Sequence, residues 1–128
     1  MPDLMLEKTS RTPLVVIDTA AGLFKLEGES YPEDIAGFFT PIRSTLEESF
    51  SEMDGGLKVE INLVYFNSSS ARVLMEILDQ LEERASGDFP VSVNWVCDPD
   101  DDITREFAED ISEDLETVQF TITDTPRD

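Results

Sequence analysis

Residues 59–81 change their apolar period without a break, and that change most narrows what the chain can fold into. Val59, Ile61, Leu63 and Tyr65 alternate, as in a strand with one buried face. Val73, Leu74, Ile77, Leu78 and Leu81 recur every three or four residues, as along one face of a helix. Between them runs Tyr65-Phe66-Asn67-Ser68-Ser69-Ser70-Ala71-Arg72, which puts three hydroxyls where a strand becomes a helix. A helix start carries unpaired N–H groups and a partial positive charge, so it favours a phosphate or another anion. Either Asn67, Ser68 or Ser69 simply caps this helix, worth about 1 kcal/mol, or the hydroxyls are a place to put a phosphate. Arg72, one helical turn beyond Ser68, is a local counter-charge for such a group.

The rest of the chain follows the same alternation. Thr12–Asp18 reads as a short buried strand, and Thr19–Gly22 as a turn into a second strand carrying Leu23, Phe24 and Leu26. Ser30 and Glu33 have capping-box spacing and Pro32 suits a first helical turn, so a helix is predicted from Pro32 to Met53. Its apolar positions are Ile35, Phe38, Phe39, Ile42, Leu46 and Phe50. Pro41 should kink or interrupt it, and Asp54-Gly55-Gly56 ends it. A third strand spans Lys58–Phe66, a second helix Ser68–Arg84 and a fourth strand Pro90–Cys97. A third helix spans Asp100–Leu115, with a stripe of Ile103, Phe107, Ile111 and Leu115, and a last strand Thr117–Thr123. The predicted order is β-β-α-β-α-β-α-β, an α/β layer fold with crossovers. A length of 128 residues fits a single domain over 1–128.

Charge and composition exclude several function classes. A formal net charge of −20 argues against nucleic acid and anionic membrane as partners, and favours a basic protein surface. An acidic proteome would give the same balance. With no histidine, neither a Ser-His-Asp nor a Cys-His nucleophile can form, nor a His-ligated zinc site. No glycine-rich phosphate cradle is present. One cysteine, no apolar run of membrane length and no basic-then-apolar leader together read as a cytoplasmic chain.

Two further groups bear on chemistry. Asp98, Asp100, Asp102 and Glu109 fall at positions one, three, five and twelve of a calcium-loop register. Position six needs glycine and holds Ile103, so the run also reads as an acidic N-cap. A metal-binding or enzymatic use of Asp98–Asp102 stands as an alternative. Trp95 and Cys97 alternate with Val91 and Val93 and are expected in the core. Glu82-Glu83 and Glu109-Asp110 read as solvated faces.

A strand ending in Asn67-Ser68-Ser69-Ser70 and continuing as a helix resembles the phosphorylation loop of STAS-type anti-sigma factor antagonists. The chain more closely resembles the SiaC family of bacterial regulatory phosphoproteins. Three stretches carry this resemblance: Gly28-Glu29-Ser30-Tyr31-Pro32-Glu33, Leu63 to Ser70, and Met75 to Glu83. Asn67 stands where the STAS pattern has an acidic residue, and Ser70-Ala71 where it has glycine, which favours the SiaC branch.

The resemblance implies a STAS-like fold, a mixed sheet with helices packed against it. It implies no catalytic activity, no cofactor and no metal. A GHKL-type serine/threonine kinase would phosphorylate the serine loop and a PP2C-like phosphatase would reverse this. The unmodified form would bind and activate a diguanylate cyclase, in cyclic di-GMP signalling and control of biofilm or aggregation. The acceptor falls on Ser68, with Ser69 and Ser70 as further candidates. Expected partner-contact residues are Tyr31, Pro32, Glu33, Asn67, Ser69, Ser70 and Arg72. An anti-sigma factor antagonist acting in a sigma-factor partner switch is the alternative on the same fold.

Overall fold

The alternating runs pair into one six-stranded sheet whose strands lie side by side in chain order. In the computed structural model, which describes residues 3–53 and 55–125, the strands are β1 (Leu4–Leu6), β2 (Leu14–Asp18), β3 (Leu23–Ser30), β4 (Leu57–Phe66), β5 (Val91–Cys97) and β6 (Gln119–Asp124). The first three pair antiparallel, and β3 to β6 run parallel. Each parallel step needs a crossover, supplied by α1 (Ile35–Ser49), α2 (Ser68–Arg84) and α3 (Asp102–Glu113). Every step moves one strand in the same direction, so right-handed crossovers put all three helices on one face.

Burial agrees with that arrangement. Val15, Ile17, Phe24, Leu26, Val59, Ile61, Val93 and Trp95 form one core with Ile42, Leu46, Leu74, Ile77, Leu78, Leu81 and Ala108. Each large aliphatic or aromatic side chain so buried contributes roughly 1.5–3 kcal/mol. The opposite face carries Val16, Lys25, Glu60, Asn94 and Thr121 in one row across five strands. Trp95 is central in the core, with its ring against Phe66, Phe107 and Phe120. Cys97 is buried too, and burial raises its thiol pKa above the usual range. No helix among the described residues is long and apolar enough to cross a membrane.

The structure corrects the sequence reading in several places. A strand precedes those expected: Leu4–Leu6 pairs antiparallel with β2, so the order is β-β-β-α-β-α-β-α-β. The first helix begins at Ile35, not Pro32, and Ser30 is the last residue of β3. Ser30 is occupied by bonds to α2 and to the residue before it, so Asp34 supplies the cap, accepting from Gly37 N–H at 3.0 Å. Pro41 does not interrupt α1. It deprives the Gly37 carbonyl of a partner, but both residues are exposed, where water can replace the lost bond. The helix gives way to a 3-10 turn, Phe50–Glu52, before Met53. Asp54 lies outside the described residues; Gly56 has φ 100°, and a Cβ there would run into the Pro90 carbonyl.

Two side chains expected to face inward face out. The register of β3 against β4 shifts between Gly28 and Glu29, pairing Gly28 with Leu63 and Glu29 with Tyr65. Val64 is the extra residue of a bulge, and it reverses the alternation. Tyr65 therefore stands 51% exposed, and Phe66 turns inward against Trp95 and Phe107. Ile103 is 82% exposed. The neighbouring Thr104 turns in instead, because Asp101 accepts from its N–H at 3.0 Å and its hydroxyl at 2.7 Å, fixing the phase of the first turn.

Candidate functional site

The change of period at residue 67 sits at the carboxyl end of β4, where the chain leaves the sheet for α2. Asn67 is the N-cap. Its side chain accepts from Ser70 N–H at 2.9 Å, and its carbonyl accepts from Ala71 N–H at 2.9 Å. Its own N–H is donated to the Ser30 carbonyl at 3.1 Å. Ser30 and Ser70 are fully buried and share a hydrogen bond between their hydroxyls, 2.9 Å long. The capping role is thus filled by Asn67, and the three serines separate into two kinds.

Ser68 and Ser69 are exposed, and their hydroxyls bond to no other described residue. Ser70 is at the surface of nothing: its buried hydroxyl is committed to Ser30, which removes it from the residues able to accept a phosphate or touch a partner. Arg72 is exposed, forms no ion pair with a described residue, and lines a shallow hollow with Ile35, Ser68, Ser69 and Val73. The first turn of α2 holds no acidic residue, against a chain-wide charge of −20. Positive potential from the helix start is therefore not cancelled locally.

The structure brings one of the expected contact residues, just past the end of β3, to this place. Tyr31 packs edge-on against Tyr65, ring centroids 5.6 Å apart at 70°. Its backbone N–H is held by the Arg11 carbonyl at 2.7 Å. Pro32 follows in the connection to α1, and Glu33 pairs with Arg11 rather than with the serine turn. The reading from sequence missed the Ser30–Ser70 bond and the outward turn of Tyr65. Capping-box spacing at Ser30 pointed to a local partner, whereas the partner lies 40 residues away.

The acidic run is built for a different purpose. Asp98 accepts from Asp100 N–H at 2.8 Å, and Asp101 caps α3. From Asp102 onward the chain is helical, so the calcium-loop register through Glu109 is overturned. No group of three or more metal-ligating side chains converges among the described residues. Glu82 is likewise more than a solvated face. It accepts from the N–H groups of Thr117 and Val118 at 2.9–3.0 Å, pinning the approach to β6. Partial desolvation raises its pKa, but these N–H bonds outweigh that, and the net shift is downward.

A small α/β fold that presents free hydroxyls at a capped helix start, with Asp34 and Asp101 committed to caps and Glu82 to the approach of β6, has the make-up of a regulatory binding protein. The chain belongs to the SiaC family of regulatory phosphoproteins, whose family model matches residues 6–125. An uncharacterized protein of Pseudomonas aeruginosa is 35% identical over 114 residues, 89% of this chain and 90% of its own length. The structure of SiaC of Pseudomonas aeruginosa superposes with a TM-score of 0.87 at 34% identity, covering 98% of this chain and 100% of that one. A chain in the crystal structure of the diguanylate cyclase SiaD in complex with its activator SiaC gives 0.88 at 33% identity, covering 96% and 100%.

Proposed function

We propose that this chain activates a diguanylate cyclase by binding it, and that phosphorylation of Ser68 releases it. The observation that carries the partner is the full-length likeness to a chain in the complex of SiaD with its activator SiaC. The geometry of the serine turn supports the switch. Asn67 satisfies the helix start, so the Ser68 hydroxyl is free for another use. A phosphoryl group there brings close to two negative charges and considerable bulk to a surface that must be desolvated on binding. A loss of about 2–3 kcal/mol weakens binding roughly 30- to 150-fold. A GHKL-type kinase and a PP2C-like phosphatase are the opposing enzymes in this reading, and a cytoplasmic location fits it. Ser69, also exposed, is the second acceptor.

Titration of the cognate cyclase with unmodified protein and with Ser68→Asp tests this directly. The expected result is cyclic di-GMP synthesis stimulated by the wild type, with the variant's binding curve displaced by one to two decades. Equal affinity of the two proteins for the cyclase would remove the switch from Ser68.

A further inference from the structure

Three hydrogen bonds close a ring around the serine turn. The Ser30 carbonyl accepts from Asn67 N–H at 3.1 Å, the Asn67 side chain accepts from Ser70 N–H at 2.9 Å, and the Ser70 and Ser30 hydroxyls meet at 2.9 Å. Ser68 and Ser69 are the two residues that bridge this ring on its solvent side. Ser30 is the member from outside the loop, and it grips the turn at both ends: its backbone holds Asn67 and its side chain holds Ser70. We propose that Ser30 is a positioning residue of the switch, holding residues 67–70 in the one conformation that presents the Ser68 hydroxyl. This inference rests on the assignment of Ser68 to the switch.

The chemistry of the pair argues for a geometric role. Both hydroxyls are fully buried beside an apolar core. An apolar pair would fill such a place without the desolvation that two hydroxyls suffer. What the hydroxyls add is direction and length, which packing alone does not impose. The same residue also couples two parts of the surface. Tyr31 follows Ser30 directly and packs edge-on against Tyr65, two residues before Asn67. Displacing Ser30 therefore moves the serine turn and the tyrosine pair together, so acceptor and contact surface keep a common frame.

A double-mutant cycle at Ser30 and Ser70 tests this on the full chain. Amide hydrogen exchange at Asn67, Ser70 and Ala71 is read against β4–β5 core amides, and affinity for the cognate cyclase is read in parallel. Ser30→Ala should accelerate exchange at the turn at least 10-fold beyond any change in the core, and weaken cyclase binding several-fold. The double variant Ser30→Ala/Ser70→Ala should be no worse than either single one, since no hydroxyl is then left unpaired. Exchange that rises uniformly with the core, or does not rise, would reduce the pair to ordinary core structure and overturn the proposal. So would faster exchange at the turn with unchanged cyclase affinity. If wild-type protein does not bind the cyclase, the functional assignment fails with it. The exchange arm then still decides whether Ser30 holds the turn.

Discussion

The turns after β4 and β5 are two solutions to one problem. Each follows a parallel strand at the same end of the sheet, and each opens a helix with an Asx cap accepting from the N–H three residues on, at 2.9 Å from Ser70 and 3.0 Å from Thr104. They differ in the hydroxyl at that third position and in charge. Thr104 gives its hydroxyl back to its own cap, Asp101, so the β5 turn is closed on itself. The Ser70 hydroxyl instead bonds with the hydroxyl of Ser30 at the end of β3, so the β4 turn is fastened to the sheet. Around the first, Asp98, Asp100, Asp101 and Asp102 repel any added anion; in the second, the first turn of the helix holds no acidic residue and Arg72 stands exposed. Both turns cap a helix, but an added anion meets more local negative charge at the β5 turn than at the β4 turn.

The harshest test of this comparison removes what the two turns share. Trp95 packs against the end of the strand before one turn and against the helix after the other, with its ring 6.2 Å from Phe66 and 5.8 Å from Phe107. Trp95→Ala is expected to destabilise the protein by about 3–5 kcal/mol, measured by urea unfolding. The caps come next and should separate. Asp101→Ala removes two bonds within its turn and should cost about 1–2 kcal/mol, while Asn67→Ala should cost about 1 kcal/mol. Equal losses would say that the Thr104 hydroxyl adds nothing. Only the Asn67 variant should also change cyclase binding.

Glu82, a carboxylate outside both turns, sharpens the contrast between structural and free charge. Glu82 has a folded pKa below its unfolded value, so its contribution is complete above the unfolded pKa and is lost as pH falls through the folded one. Glu82→Gln should cost about 1 kcal/mol at neutral pH, from its bonds to Thr117 and Val118. The gap from wild type should shrink as acid unfolding is approached below the ordinary carboxylate range. A gap that stays constant with pH would mean the charge is immaterial. Smallest is Arg72→Ala, an exposed change expected within about 0.5 kcal/mol in unmodified protein. Its measurable effect should appear in the Ser68-phosphorylated form as lower thermal stability than phosphorylated wild type. No difference there would leave Arg72 without a part in the switch.

Most of the architecture was legible because the apolar period switches sharply between strands and helices. β4 and α2, with their boundary at Asn67 and Ser68, could be read from residues 59–81 alone. β1 could not, because Leu4–Leu6 is three residues long and Met5 faces solvent at 56% exposure. The bulge at Val64 was invisible for a different reason. It exists only relative to the register of β3, and no property of β4 by itself distinguishes Tyr65 from an inward residue. At Ser30 the local signal was real and lost to a tertiary one, since the same side chain that could cap α1 is bonded across the core to Ser70. For the site, the serine turn was legible from spacing. The sorting of its hydroxyls into exposed Ser68 and Ser69 and buried Ser70 depends on helix phase against the sheet, which only the fold supplies.

The uncovered face of the sheet has a consequence for how this chain can vary over time. Residues such as Lys25, Glu60, Asn94 and Thr121 share one row there, opposite the layer that packs the helices. Exchanging them alters the electrical character of the molecule without repacking its interior. The molecule's charge can therefore be changed stepwise on this face while the inward residues and the turn after β4 are left untouched. Ancestral sequences of different acidity could then be expected to interchange on the same partner, provided the two ends of that turn were kept.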